Sequence, residues 1–226
     1  VIKIYDIPIF YLPFLSHPDP SVKRRTGLLP PTLSDSKNLG AGVSIPFFWS
    51  VNNDKNFTVT SKLFVNENPL FVGEYHQAFE NSNFLTDFGY TEGYKNTSRT
   101  KKAGEKSHFF SKFIKNFKGQ EGSDNSLSLI TQNVSDDKYL KLYKIDSNLV
   151  DYNLETLENS INFTHSDKDL FFGFNASLYE TLKEGQNDKY EYVFPEITID
   201  KNILSSERFG NIDLQTNFKA HNYDCL

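Results

Sequence analysis

The sequence has 226 residues, and its 24 basic and 29 acidic side chains give a formal net charge of −5. The two signs are interspersed along the chain, which argues against the broad basic face that nucleic-acid-binding proteins present. The only cysteine is Cys225, so this chain can hold neither an internal disulfide nor a Cys-x-x-Cys metal site.

Phe and Tyr are abundant, with 21 and 12 copies. Hydrophobic residues nevertheless make up only 38% of the sequence, and the mean hydropathy is −0.51. No stretch is long and apolar enough for a membrane-spanning helix. Many aromatic rings in a polar chain predict a structure with one apolar face and one wet face. A transmembrane β-barrel is such a structure, and a soluble β-sandwich that binds carbohydrate is the alternative.

The N-terminal part of the sequence predicts a domain boundary. Six of the nine prolines lie between residues 6 and 31, a density that forbids a central strand and favours a stiff, extended connector. We therefore predict a hinge at 12–38. Its marker residues are Pro13, Pro18, Pro20, Gly27 and Pro30. Residues 1–11 have the character of a last strand of a preceding domain, and the lack of Met leads us to expect a piece of a longer protein.

Beyond residue 38 the dominant period of apolar residues is two, which is the strand period. Phe57, Val59 and Leu63, for example, alternate with polar residues. About ten segments of strand length follow one another, and we predict an antiparallel meander. These segments lie at 39–51, 56–65, 69–79, 83–92, 107–117, 125–134, 157–165, 170–182, 190–200 and 210–220.

The connectors between these segments are of two kinds. Those at 52–55, 66–68 and 80–83 are short and turn-like, whereas those at 93–106 and 135–153 are longer and polar. Tight turns alternate with long loops when the two rims of a barrel face different compartments. The only helical candidate is a single turn within the last of these loops.

Nothing in the sequence predicts an active site. The five histidines are scattered without ligand-like spacing, and no Gly-x-Ser-x-Gly nucleophile motif is present. A Ser/His or carboxylate pair converging on one rim would be the sign of a barrel hydrolase. We predict that the protein is not an enzyme, and that it holds no cofactor and no metal.

Three motifs around the predicted hinge resemble a known family. Residues 8–14 read PIFYLPF, residues 23–30 read KRRTGLLP, and residues 46–49 read PFFW. In the lipopolysaccharide (LPS) assembly protein family, LptD/OstA, a strand ending in Phe-Tyr-x-Pro is followed by a basic pair, a Ser/Thr-Gly turn and a strand ending in Pro-aromatic-aromatic-Trp. This chain is similar to that junction, in the same order. Weaker similarity continues at 54–60, 136–140 and 192–197.

The resemblance implies a two-part translocon in the outer membrane of a Gram-negative bacterium. A periplasmic β-jellyroll receives LPS from an LptA-like bridge protein. A transmembrane β-barrel, plugged by an LptE-like lipoprotein, releases it sideways among the outer-membrane lipids. On this interpretation 1–11 end the jellyroll, 12–38 form the hinge, and 39–226 are the first strands of an incomplete barrel. A porin or receptor barrel is a further alternative, although it does not require the proline-rich junction.

Lateral release requires a seam that can part, because broken strand pairs inside a membrane expose costly backbone groups. The resemblance makes 40–49 the first barrel strand and one side of this gate. A proline there removes a ladder donor, so we expect Pro46 to ease the parting of this first strand from the last strand of the barrel, which we expect beyond this chain; alternatively, it only marks an edge or a bulge. The predicted gate residues are Gly40, Gly42, Pro46, Phe47, Phe48 and Trp49. Family members commonly carry a second proline in the next strand, where this chain has Ser61.

Two further groups of residues have roles that the sequence leaves open. Gly40 and Gly42 are interpreted as flexibility near the hinge rather than as a phosphate loop, because no helix follows them. Arg24 and Arg25 could contact the phosphates of lipid A, since Arg pairs well with phosphate. Equally, they could anchor the junction at the membrane interface or form salt bridges.

Overall fold

A computed structural model of the chain is almost entirely β. The structure describes residues 2–4, 7–10, 25–95, 97, 103–119, 122–183, 188–206 and 210–225. Two short strands, β1 (Ile2–Ile4) and β2 (Ile7–Phe10), pair with each other in antiparallel fashion. The sequence led us to expect one strand at 1–11, and the structure has two. Their assignment to a jellyroll stays a prediction.

The other twelve strands form one sheet. From β5 to β14 the order in the sheet equals the order in the chain, and β3 and β4 both pair with β5. These strands are β3 (Gly27–Leu28), β4 (Thr32–Ser36), β5 (Gly40–Ser50), β6 (Lys55–Phe64), β7 (Leu70–Ala78), β8 (Ser82–Gly93), β9 (Ala103–Lys118), β10 (Asp124–Val134), β11 (Thr156–Ser166), β12 (Leu170–Thr181), β13 (Asp188–Ser206) and β14 (Gly210–Cys225). The predicted all-β antiparallel meander is confirmed.

The sheet begins at Gly27, inside the segment that the sequence assigned to the hinge. Residues 27–28 and 32–36 lie on either side of Pro30 and Pro31, and both stretches pair with β5. The prolines therefore interrupt the pairing at one point but do not abolish it. The sequence-based start of the sheet near residue 39 was too late for this reason.

The single helix among the described residues is α1 (Tyr139–Tyr143), one turn within the connector between β10 and β11, as the sequence predicted. It ends at Lys144, which has the left-handed φ of 46°. No helix in the described part of the chain is long and apolar enough to cross a membrane. We call the connector, residues 135–155, the cap. Its buried side chains are those of Tyr139, Leu140, Tyr143, Ile145 and Val150.

The chain divides into two compact units, residues 1–76 with 88–106, and residues 77–87 with 107–226. In the first unit, β5 and β6 present one apolar face. Directly opposed residues of an antiparallel pair lie on the same face. Trp49 is opposite Phe57, and the other apolar pairs on this face are Phe47 with Val59 and Val43 with Leu63.

In the second unit, the two faces of the sheet differ sharply in polarity. Leu129 lies opposite Phe113 on one side and Ile161 on the other, and Ile161 lies opposite Ala176. This apolar face continues through Phe163, Phe174, Ile197 and Phe218. The opposite face carries Ser128, Asn162, Asn175, Glu196, Thr198 and Asn217. We call these the apolar face and the polar face.

Candidate functional site

All six predicted gate residues lie in β5, and β5 is paired along both of its sides. β6 pairs along one side of it, and β3 and β4 pair along the other. Among the described strands, the interrupted pair β3–β4 is therefore the outermost on that side. We call the pairing of β3 and β4 with β5 the seam.

The backbone of Pro46 faces this seam. The N–H of Leu29 donates to the carbonyl oxygen of Pro46 at 2.9 Å. Because the N–H and C=O of a strand residue point to the same side, the nitrogen of Pro46, which carries no hydrogen, also faces β3–β4. Pro30 and Pro31 interrupt the partner strand at this point, and regular pairing resumes with Thr32 opposite Ser44.

Three prolines thus meet at one position of the seam. Members of the similar family commonly have a second proline in the strand after β5, where this chain has Ser61, which pairs with Ile45. Here the other two prolines of the seam lie between the short strands that pair with the opposite side of β5. Their place beside paired strands does not follow from the sequence, which assigns 12–38 to the hinge.

The two predicted gate glycines lie where a side chain would be disfavoured. A Cβ on Gly42 would lie 2.8 Å from Cδ1 of Phe64 and 3.0 Å from the carbonyl oxygen of Leu63. Gly40, the first residue of β5, has a φ of +73°, a left-handed conformation that favours glycine. Flexibility near the hinge stays a prediction for both residues.

The structure describes only some of the predicted hinge and phosphate-contact residues. Gly27 belongs to β3, Pro30 is exposed beside it, and Arg25 is exposed. The structure does not describe Pro13, Pro18, Pro20 or Arg24. Contact of Arg24 or Arg25 with lipid A phosphates stays a prediction, as do the hinge and gate roles.

The polar face is cross-linked by side-chain hydrogen bonds. Ser160 donates to a carboxylate oxygen of Glu158 at 2.6 Å, and Asn162 donates to Ser160 at 3.3 Å. Further along, the side-chain amide of Asn175 donates to Glu196 at 3.1 Å. Such rows of paired amides, hydroxyls and carboxylates make this part of the face hydrophilic.

Two cavities of similar volume open on the second unit. One of about 660 Å³ lies at the turns that follow β9 and β11 and has a polar lining that includes Asn116, Ser126 and Thr164. The other, of about 590 Å³, is an apolar groove between Leu129, Ile161 and Phe194. Within the described residues, no group of three or more His, Cys, Asp and Glu side chains is placed to hold a metal ion.

A buried polar cluster in the second unit was not predicted from the sequence. Nε2 of His108 lies 2.5 Å from Oδ1 of Asp87, and Nδ1 lies 3.2 Å from the hydroxyl of Tyr139. The exposed fraction of each residue is 3% or less. Asp87 comes from β8, His108 from β9 and Tyr139 from α1, so the cluster joins two strands to the cap.

Aromatic rings surround this cluster. The rings of His108 and Phe110 meet edge to face at 5.9 Å, and the Tyr139 ring lies 5.6 Å from His108 and 5.4 Å from Tyr143. Burial, reinforced by Tyr143 and Asp87, raises the pKa of Tyr139 well above its ordinary value, so its hydroxyl keeps its proton. With Asp87 accepting a hydrogen bond from Nε2–H, the lone pair on Nδ1 accepts a hydrogen bond from the Tyr139 hydroxyl.

The chain has clear relatives, although no protein-family model matches its sequence. The LPS-assembly protein LptD of Shewanella oneidensis is 24% identical over 231 aligned residues, which cover 98% of this chain and 27% of that protein. The chain is similar to LPS-assembly protein LptD along nearly its whole length.

Other LptD proteins agree with this result. That of Idiomarina loihiensis is 26% identical over 82% of this chain, and that of Nitrosococcus oceani is 32% identical over 73 residues, or 32% of this chain. The chain spans about a quarter of the length of the LptD relatives that align with most of it. The resemblance drawn from the junction motifs is confirmed.

Proposed function

We propose that this chain is a section of an outer-membrane protein that assembles LPS at the surface of a Gram-negative bacterium. The observation that carries the proposal is the alignment of 98% of the chain with a protein named LPS-assembly protein LptD. The whole activity belongs to a protein about four times as long as the aligned section, since that section is 27% of the relative. This chain would contribute strands and one seam.

A location within a membrane is supported by the two faces of the sheet. Strands β10, β11 and β12 have 11, 11 and 12 residues, and about 9–11 tilted residues cross a bilayer. The apolar face would meet outer-membrane lipids, and the polar face would line the interior of a barrel. The N-terminal residues would continue into a periplasmic jellyroll.

Lateral release is the finer part of the proposal, and the seam supports it. The missing donor at Pro46 and the interruption of pairing at Pro30 and Pro31 lower the cost of separating β3–β4 from β5 at one position. LPS would leave sideways where strand pairing is weakest. Its partners would be LPS itself, an LptE-like plug lipoprotein, an LptA-like bridge protein and outer-membrane lipids.

We propose a role without catalysis. The Asp87–His108–Tyr139 cluster contains the residue types of a proton relay, yet all three residues are buried. A group that reacts with a substrate has to reach it, and this cluster cannot. A secreted β-sandwich is less well supported, because the strands from Gly27 to Cys225 belong to one sheet and a sandwich needs two packed sheets. A porin or receptor barrel would not require the seam.

The test of the assembly function uses the full-length protein that contains this chain. Its gene is depleted in the native host, and newly made LPS at the cell surface is quantified over time by surface labelling. We expect delivery to stop as the protein is depleted and to resume with a wild-type copy. Normal surface LPS after complete depletion would refute the function.

The seam is tested in the same strain with Pro46→Val. This variant restores one N–H toward β3–β4, worth on the order of 1 kcal/mol, and we expect delivery to slow about fivefold. Thr60→Val is the matched control, because Thr60 lies opposite Pro46 and its replacement changes no backbone donor. If Pro46→Val delivers LPS at the wild-type rate while depletion stops delivery, the assembly function is supported and the role of the seam in lateral release is refuted.

A further inference from the structure

We propose that the cap is a lid on the polar face of the second unit, held closed by the hydrogen bond from Tyr139 to His108. The inference goes beyond the assembly function and does not depend on it. It rests on where the cap lies, on how its backbone is bonded, and on the buried chain of three polar side chains.

The cap lies over the polar face. Tyr139 packs against His108, and His108 packs edge to face on Phe110. His108 and Phe110 are two residues apart in β9, so they lie on the same face, and Phe109 between them lies on the other. His108 pairs with Val134 and Phe110 with Gln132, so they share a face with Ser128 and not with Leu129. The cap therefore covers the polar face near the ends of β9 and β10.

The cap is a self-contained unit. Its backbone hydrogen bonds are local, with Leu142 donating to Lys138 and Ile145 donating to Leu140. The turns at Ser147–Val150 and Asp151–Leu154 are likewise closed within the cap. Such a unit can keep its internal structure while it moves.

Backbone bonds tie the cap to strands only at its two ends, as far as the described residues show. Ser135 donates to the carbonyl oxygen of Ser107 at 2.9 Å, and Leu182 donates to that of Glu155 at 2.9 Å. Between these points the ties are side chains. These two ends are the natural hinges of the lid.

The polar tie at the centre is a chain of three buried groups. Asp87 fixes the His108 ring by accepting from Nε2 at 2.5 Å, and this leaves Nδ1 to accept from Tyr139 at 3.2 Å. Asp87 and His108 both belong to strands, so their contact survives when the cap lifts. The bond that breaks on opening is the one between His108 and Tyr139.

A second tie lies at the surface and is weaker. Nζ of Lys189 lies 3.6 Å from a carboxylate oxygen of Asp137 in the cap and 3.2 Å from Glu180. Lys189 and Asp137 are about a third exposed or more, and exposed ion pairs contribute little to stability. The buried hydrogen bond between Tyr139 and His108 is therefore the contact to test, and we call it the latch.

The experiment is native-state hydrogen exchange on the full-length protein in detergent or lipid, followed by mass spectrometry. Tyr139→Phe removes the latch hydroxyl and keeps the ring. We expect the amides of Leu142 and Ile145 to exchange about fivefold to tenfold faster, the factor for one buried hydrogen bond, while amides of β9, β10 and β11 keep the wild-type rate.

The matched control is Tyr152→Phe, which removes a hydroxyl elsewhere in the cap, where no hydrogen bond of that hydroxyl is found among the described residues. We expect wild-type exchange in this variant. Unchanged exchange in Tyr139→Phe would overturn the latch. Equal acceleration in the cap and in the three strands would overturn the lid, because the cap would then open only when the sheet itself unfolds.

A double-mutant cycle with Asp87→Asn separates the latch from general packing. Asn keeps the shape of Asp87 but removes its negative charge, so the His108 ring is polarised less and Nδ1 is a weaker acceptor. In a wild-type cap this weakens the bond from the Tyr139 hydroxyl. In the Tyr139→Phe background there is no such bond, so Asp87→Asn should add less than a twofold change. Full additivity of the two changes would show that Asp87 does not act through Tyr139 and would overturn the three-residue chain.

Discussion

The seam of the first unit and the cap of the second unit differ in how their hydrogen bonds are satisfied. At the seam, Pro46 lies opposite an interruption made by Pro30 and Pro31, so donors are missing where two strands meet. In the cap, local turns satisfy the backbone, and His108 supplies a partner for the buried Tyr139 hydroxyl.

The difference teaches where a sheet protein of this kind can open without losing its fold. A strand pair that lacks backbone donors is weak at the position where they are missing, because no side chain replaces a ladder bond. A connector held to the sheet by side chains can separate when one contact breaks, because its backbone hydrogen bonds are made within the connector. Three changes break or sharpen this comparison.

The largest effect is expected from Leu140→Ala. Leu140 lies in α1 and is 1% exposed, so its truncation leaves a cavity inside the cap. A buried Leu→Ala change costs about 2–5 kcal/mol, and we expect the free energy of cap opening to fall by about 3 kcal/mol. Native-state hydrogen exchange at Ile145, whose N–H donates within the cap, measures this value.

Lys141→Ala is the control for this change, since Lys141 is the exposed neighbour on the same helix. We expect it to alter the free energy of opening by less than about 0.5 kcal/mol. If the two variants opened the cap equally, apolar packing inside the cap would not contribute to keeping it closed, and the contrast with the seam would be lost.

A smaller effect is expected at the seam from Gly42→Val. The new side chain would meet Phe64 and the Leu63 carbonyl at 3.0 Å or less, and overpacking of this kind costs about 1–3 kcal/mol. Gly27→Val is the matched change in the same seam, because nothing lies within 4 Å of a Cβ there. Urea unfolding of the refolded full-length protein should show a lower midpoint for the first variant only. Equal midpoints would mean that the packing of β6 against Gly42 is looser than described.

The smallest effect is a dependence on acid at the end of the cap. A hydrogen bond from Lys183 lowers the pKa of Glu155 below its ordinary value of 4.5, and the distance between Nζ and the carboxylate oxygen is 2.7 Å. A lowered folded-state pKa stabilises the closed cap above the ordinary pKa, and this contribution is lost as the pH falls through the lowered value. Cap opening should therefore become slightly easier in acid.

Glu155→Gln provides the comparison for that titration. We expect hydrogen exchange of the cap, corrected for the intrinsic rate at each pH, to lose the part of its acid dependence that comes from this pair. Identical acid dependence in the variant and the wild type would show that the exposed pair contributes nothing measurable.

Much of the fold follows from the period of two. Leu157, Ile161 and Phe163 were read as one face of a strand, and they lie in β11, where Ile161 and Phe163 face Ala176 and Phe174. Strand existence is set by local alternation, which a single sequence carries. The predicted strands correspond to β5–β14, with their ends displaced by tertiary pairing.

Two features could not be read from the sequence, for different physical reasons. The prolines at 30 and 31 argued against any strand at 27–36, yet pairing with β5 stabilises the short stretches on either side of them. The Asp87–His108–Tyr139 cluster joins residues that are 21 and 31 positions apart. Their convergence depends on strand register and on the fold of the cap, and neither leaves a periodic signal.

The strand order has a consequence for how the sheet forms. Because each strand from β6 to β13 pairs with the strands immediately before and after it in the chain, no pairing waits for a distant segment. Contacts between neighbours in sequence cost little loop-closure entropy, and topologies built from them fold faster than those with long-range pairings. The sheet can therefore grow hairpin by hairpin, and the cap can close as soon as β8, β9 and β10 are in place.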